Sequence, residues 1–258
     1  MKHLLLSIAV LLILTGCSAK TPEGPPDPQF DTTEFNFGVI PANTVVTHVY
    51  KLTNAGGDSV VIEDLRAHCG CTKIPLTTSV IGAGKSAPIE LRFNSRGYRG
   101  KSRKSASVRL DACGNKVSQK IFFTAYTDTA AITFSSGQIA VSEPIIEFVD
   151  SVKKIKLEIS NRIAASRKLV IVDYQEDRIE LSWEKKTLGP KESATLVIER
   201  KVPTNKLFAS ITMEMKGYNN SRITIPVLGK DRKTEKMKSV RKIAPRPPPK
   251  TKIPWLDK

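Results

Sequence analysis

From Phe30 to Val227 the chain alternates short apolar runs with clusters of turn residues about every 8 to 12 positions, the spacing of a β-sandwich. Val45 to Leu52 (VVTHVYKL) reads as one strand, the Asn54 to Ser59 cluster as a turn, and Val60 to Leu65 as the next strand. Ile81 to Ser86 turns into the Ile89 to Phe93 strand, and Ser105 to Leu110 and Val117 to Ala125 flank a turn at Gly114-Asn115. No helical period of comparable strength competes. The same order returns about a hundred residues later. Lys156 to Asn161 answers Lys51 to Asn54, Leu169 to Asp173 answers Val60 to Asp64, Leu188 to Glu199 answers Ile81 to Arg92, and Ala209 to Val227 answers Ala106 to Phe123. A repeat of this length predicts two copies of one all-β domain, at 30–128 and 129–229, each large enough for a seven-stranded sandwich.

The first copy carries Phe35-Asn36-Phe37-Gly38-Val39-Ile40-Pro41, then Leu52-Thr53-Asn54, Cys69-Gly70-Cys71-Thr72 and the Gly82-Ala83-Gly84-Lys85-Ser86 turn. Over residues 32 to 126 this order resembles a bacterial domain-of-unknown-function family, itself similar to immunoglobulin-like domains of the major sperm protein and Hydin type. The resemblance implies an immunoglobulin-like fold in an envelope lipoprotein and no catalytic activity. The second copy lacks the cysteines and the Phe-Gly start, so it is a diverged relative.

The first residues predict a destination. Met1-Lys2-His3 is a short basic start, and Leu4 to Leu14 is apolar except for Ser7, too short for a permanent span and of signal-peptide form. Leu14-Thr15-Gly16-Cys17 resembles the bacterial lipobox, which places a signal peptide at 1–16 and a diacylglyceryl group on the Cys17 thiol. That covalent lipid, rather than a cofactor, is the expected prosthetic group, and it anchors the chain to a membrane. Ser18 leans toward the outer membrane facing the periplasm, with the outer leaflet of the inner membrane as the alternative. Residues 17–29 are poor in apolar side chains and hold four prolines, so they predict an extended tether of ~3 Å per residue.

The formal charge is +16, and residues 230–258 carry 11 basic against 3 acidic side chains, half of that net excess. This basic, Pro-rich tail, with Trp255 near its end, predicts an extended segment attracted to anionic surfaces or docking on a partner. A second basic run comprises Arg92, Arg96, Arg99, Lys101, Arg103 and Lys104 around Tyr98, a loop able to grip an anionic polymer or simply to guard a sheet edge.

His68, Cys69, Cys71 and Cys113 are the one concentration of reactive side chains. With Cys17 acylated, three thiols remain. Cys113 could pair with one of the others, leaving the third buried or free. A Cys69–Cys71 bond would require a sharp bend at Gly70, because Cα atoms two apart on an extended chain stand nearly 7 Å from each other. A soft-metal (Cu or Zn) or thiol-redox site from all four residues is the functional alternative, and free thiols without a role complete the choices.

Catalytic signatures are missing. Gly82 to Ser86 imitates the end of a phosphate loop, but position 79 is serine rather than glycine and a strand follows instead of a helix. His48 alternates within a strand and reads as structural. No nucleophile elbow or zinc-hydrolase helix occurs. The expectation is a non-enzymatic cell-envelope lipoprotein that contacts envelope proteins or anionic glycan and lipid, not nucleic acid, with its oligomeric state left open.

Overall fold

The computed structural model describes residues 22–128, 135–149, 151–218 and 220–230. The signal peptide, Cys17, the first part of the tether and the tail with Trp255 lie outside the described residues. The first copy contains β1 (Pro28–Phe30), β2 (Glu34–Pro41), β3 (Val45–Asn54), β4 (Val60–Ala67), β5 (Thr72–Lys73), β6 (Val80–Ile81), β7 (Ser86–Asn94), β8 (Gly100–Ala112) and β9 (Asn115–Asp128). The second contains β10 (Ile139–Val141), β11 (Ile146–Val149), β12 (Lys154–Asn161), β13 (Arg167–Tyr174), β14 (Ile179–Trp183), β15 (Thr187–Leu188), β16 (Ser193–Arg200), β17 (Phe208–Met215) and β18 (Ile223–Lys230). The fold is all-β, as the spacing of apolar runs predicts.

Each copy stacks a four-stranded sheet on a share of a longer one. The small sheets run β1-β3-β7-β5 and β10-β12-β16-β14, while the long sheet runs β15-β13-β17-β18-β2-β9-β8-β4-β6 with β11 beside β18. The period of two decides which side chains enter the core. Along β8, Ala106, Val108, Leu110 and Ala112 are buried while Lys101, Arg103 and Arg109 face water. One core is centred on Phe37, Phe93 and Phe123, whose rings meet at centroid distances of 5.7 Å (Phe37–Phe123) and 4.9 Å (Phe93–Phe123). The second uses Phe148, Leu157, Ile159, Leu196, Ile211 and Met213.

The internal repeat extends to individual hydrogen bonds. Asn54 is fully buried, and its amide donates to the carbonyls of Asp58 and Ile81 while its oxygen accepts from the Gly56 N–H. Asn161 does the same with Ala165, Leu188 and Ile163. Every partner shifts by the same interval. So do the Thr53–Ser86 hydroxyl pair, answered by Ser160–Ser193, and the left-handed turn residue Gly84 (φ 65°), answered by Lys191 (φ 58°). A buried asparagine that satisfies three backbone groups of two neighbouring turns locks both copies at the same point of the fold.

The tether departs from expectation. Pro28 and Gln29 pair with Asn54 and Thr53, the Ala55 N–H donates to the Asp27 carbonyl, and the Gly57 N–H donates to Gly24. An extended Pro-rich segment suits a sheet edge, because proline leaves one side of the ladder without donors. Close approach is possible because residues 56 and 57 have no side chain. A Cβ on Gly56 would sit 1.9 Å from the Pro25 carbonyl oxygen. Residues 24–29 therefore belong to the first sandwich rather than to a free linker. At the other end, Lys230 closes β18 and is part of the fold rather than of the tail.

Replacing Asn54 or Asn161 by alanine leaves several buried backbone groups unpaired, and each change should lower stability by about 2–3 kcal/mol in urea denaturation. A neutral result at either position would contradict the equivalence of the two turns.

Candidate functional site

The two sandwiches meet along a seam, and the seam explains why β3 and β7 break their alternation. Thr47 and His48 are both buried, as are Glu90 and Leu91, because the second copy covers the face that would otherwise be wet. The Thr47 N–H donates to the Ser210 hydroxyl at 2.8 Å, and the Ser210 N–H donates to Gln175. His48 stacks on Phe35 with centroids 3.6 Å apart, and its Nδ1 lies 2.8 Å from the Asp173 carboxylate. The expectation of a structural His48 holds, and its partner lies 125 residues away.

Glu90 is the centre of the seam. Its side chain is 6% exposed and receives two 2.8 Å hydrogen bonds from the Arg178 guanidinium, one to each carboxylate oxygen. Arg92 donates a third at 2.7 Å, and Arg178 also donates to the Phe208 carbonyl. Burial alone would raise the Glu90 pKa, but the hydrogen bonds from Arg178 and Arg92 outweigh it and hold the carboxyl below its ordinary 4.5. The same bonds raise Arg178 further. A bidentate, desolvated pair of this kind specifies one docking geometry, and removing one partner leaves an uncompensated buried charge.

On the open side of the seam, β2 touches β18 through a single parallel pair, Val39 with Ile223. The Val39 N–H donates to the Arg222 carbonyl at 2.9 Å and the Thr224 hydroxyl to the Phe37 carbonyl at 2.5 Å. Gly38 sits between them at φ 67°, and a Cβ there would lie 2.2 Å from the Arg222 carbonyl oxygen. The Phe-Gly motif of the sequence is thus where one copy's backbone lies against the other's. Beside it a pocket of about 460 Å³ is lined by Asn36, Lys101, Thr124, Tyr126, Asn220 and Arg222. Tyr126 is 53% exposed and is the cross-strand partner of Lys101. Arg222 is held by Glu214 at 2.7 Å, whereas Lys101 makes no ion pair among the described residues.

The basic run is split by this geometry. Arg92 does not join the loop: its guanidinium lies 4.5 Å from the Phe208 ring centroid and bonds Glu90, because position 92 of β7 faces the seam. Tyr98 is not a free platform either, since it packs edge-on against Phe93 at 5.4 Å with the Lys104 ammonium over its ring at 4.8 Å. Arg103 pairs with Glu34 and covers Phe122. Arg96, Arg99 and Lys101 remain as exposed cations.

The cysteines are corrected in the same way. Cys69 and Cys71 form a disulfide with Cα atoms 5.3 Å apart, made possible by the bend at Gly70. Cys113 is an exposed free thiol in the β8–β9 turn. The His68 N–H donates to the Ser105 carbonyl, so the pair lies eight strand residues from Cys113, roughly 25 Å on an extended chain. Both ring nitrogens of His68 meet serine hydroxyls, Ser105 at 3.0 Å and Ser107 at 2.8 Å. His68, Cys69, Cys71 and Cys113 therefore do not assemble a metal site, and no group of three His, Cys, Asp or Glu side chains placed to hold a metal ion occurs among the described residues.

Glu90, Asp173, Arg178 and Ser210 went unmarked in the sequence. The available signal was Glu90 itself, an acid flanked by Ile89 and Leu91 in a strand whose apolar neighbours are buried.

Residues 28–125 match the family described as "Protein of unknown function (DUF1573)". No curated protein matches the chain. Among solved structures, a protein of unknown function from Porphyromonas gingivalis W83 is 12% identical, with a TM-score of 0.33 over 78% of this chain and 99% of that one. A PapD-like domain of human CEP192 is 12% identical, with a TM-score of 0.35 over 50% of this chain and all of that one. The periplasmic chaperone SfaE is 11% identical, with a TM-score of 0.33 over 79% of this chain and all of that one. The chain spans 32% of the Vibrio cholerae VesB protease, which it matches over 39% of its own length at a TM-score of 0.35. These likenesses concern strand architecture and nothing of chemistry.

Because the Glu90 pKa is depressed on folding, its contribution is complete above pH 4.5 and is lost as pH falls below that value. Arg178→Ala should cost about 3–5 kcal/mol at neutral pH by orphaning Glu90. Pairing it with Glu90→Gln should recover most of the loss and flatten the acid limb of the stability profile. An Arg178→Ala variant of normal stability would remove the pair from its central place.

Proposed function

We propose that the chain is a non-enzymatic lipoprotein of the bacterial cell envelope, held to the membrane by a lipid on Cys17, whose paired sandwiches bind an anionic envelope glycan. The outer membrane facing the periplasm is the favoured address, on the strength of Ser18. The observation that carries the binding reading is the pocket at the open side of the seam. There an exposed tyrosine, an unpaired lysine and two amides face one concavity. A sugar ring stacks on an aromatic face, its carboxylate or phosphate is met by a cation, and its hydroxyls exchange hydrogen bonds with amides. Tyr126, Lys101, Asn36 and Asn220 supply those groups, and Arg96 and Arg99 extend the positive field along the same end of the first copy.

A catalytic reading finds less support. His48 is stacked inside the seam, and His68, although beside the Ser105 and Ser107 hydroxyls, has a serine on each ring nitrogen and so no carboxylate orienting it as a base. Nucleic-acid binding conflicts with a secretion signal.

The full chain should bind an acidic polysaccharide such as polyglucuronate and ignore neutral dextran, with affinity falling as salt rises. Lys101→Ala or Tyr126→Ala should each weaken binding about tenfold, the effect of losing one charge-assisted or stacking contact. Equal binding of both polymers, or unaltered affinity in both variants, would defeat the reading. The anchor is tested separately, since Cys17→Ser should abolish acyl labelling and release the protein from membranes.

A further inference from the structure

The geometry points to the Cys69–Cys71 disulfide as a thiol-exchange site, one that accepts two electrons from a dithiol and returns to the disulfide without unfolding its domain. This inference does not rest on the glycan reading, because it uses a separate set of residues, none of which lines the pocket.

The first ground is that the bond is a poor staple. It closes a loop of three residues within one turn and joins no two strands. In the chain-entropy account such a loop restrains the unfolded chain roughly half as much as a loop of fifteen. The second copy builds the same fold without any cysteine.

The second ground is that the turn is held by its backbone. The His68 N–H donates to Ser105, the Thr72 N–H to the Cys69 carbonyl at 3.3 Å, and the Asn94 N–H to the Cys71 carbonyl at 2.8 Å. These bonds do not involve sulfur. The turn therefore keeps the two cysteines close whether or not the S–S bond is present, which is what reversible exchange requires.

The third ground is access and charge. Gly70 is exposed and both cysteines are half-buried, with Cys71 packed against the first core. The buried Thr72 hydroxyl lies 3.3 Å from the Cys69 sulfur and 3.7 Å from that of Cys71, within reach of whichever sulfur leaves. No Asp or Glu occurs in the sequence between Asp64 and Glu90, while Lys73 and Arg66, the latter paired with Asp64 at 3.7 Å, flank the turn. A thiolate is favoured where cations are near and carboxylates are absent.

The exchange balances as follows. A substrate thiolate attacks the Cys69 sulfur, the S–S bond breaks, and Cys71 leaves as a thiolate that takes a proton. The second substrate thiolate attacks its own partner sulfur in the mixed disulfide, and Cys69 leaves and is protonated. The substrate is oxidised to a disulfide, and Cys69 and Cys71 are reduced to two thiols. Oxidised glutathione reverses the process.

The test uses the full chain carrying Cys113→Ser, equilibrated in mixtures of reduced and oxidised glutathione, quenched, alkylated and mapped by peptide mass. Cys69 and Cys71 should pass reversibly from disulfide to dithiol as reduced glutathione increases, with an unchanged circular dichroism spectrum and a Tm within about 4 °C of the oxidised protein. Thr72→Val should slow exchange about fivefold, the effect of losing one hydrogen bond to the leaving sulfur. The proposal is overturned if the pair stays oxidised in excess reduced glutathione, if it opens only as the domain unfolds, or if it is isolated as two thiols that oxidised glutathione does not close.

Discussion

The hydrogen-bonded pair of Glu90 with Arg178 is the contact on which the arrangement of the two sandwiches depends. Two β-sandwiches joined end to end need not share a face, and the pairing of β2 with β18 through one residue pair is too slight to fix an angle. A carboxylate taken out of water is costly unless its lone pairs are filled, and Glu90 fills them with two guanidinium groups from opposite sides of the seam. Apolar contacts tolerate sliding, whereas a bidentate fork meets its carboxylate in few orientations. Burial of Thr47, His48 and Ser210 follows once that geometry is set.

The two copies show which parts of the fold are obligatory and which are free. Asn54 and Asn161 hold the same turns by the same bonds, so the turn chemistry is inseparable from the sandwich. Cys69 and Cys71 have no counterpart in the second copy, and neither does the Phe-Gly approach at residues 37 and 38. What differs between copies is what the architecture does not require. The Phe-Gly approach is spent on contact between the copies, and the disulfide is left without a structural task of comparable weight.

Much of the fold was legible from period-two alternation, because each sheet has one wet and one dry face and apolar residues report which is which. Alternation also explains the errors. Arg92 reads as a member of a cationic loop because sequence proximity groups it with Arg96, but a strand residue four positions earlier can face another domain. Residues 24–29 read as a tether because they carry few apolar side chains, yet they dock through backbone hydrogen bonds against Gly56 and Gly57, and backbone groups leave no compositional trace. The cysteine pairing stayed open for the same reason: the decisive quantity was the bend at Gly70, a local dihedral choice. Glu90 and Arg178 were invisible as a pair, since 88 residues separate them and each alone is an ordinary charged residue.

The two sites proposed differ in what they need from the seam. The pocket draws Asn36, Lys101 and Tyr126 from the first copy and Asn220 and Arg222 from the second, so it exists only while the copies are docked. Its shape is therefore tied to the seam that Glu90 and Arg178 hold together. The Cys69–Cys71 turn draws its hydrogen bonds from His68, Thr72, Asn94 and Ser105, all within the first copy, and it meets the seam only through the pairing of Lys73 with Arg92. Loss of the seam contacts should consequently separate the two properties, disabling glycan binding while leaving thiol exchange in place.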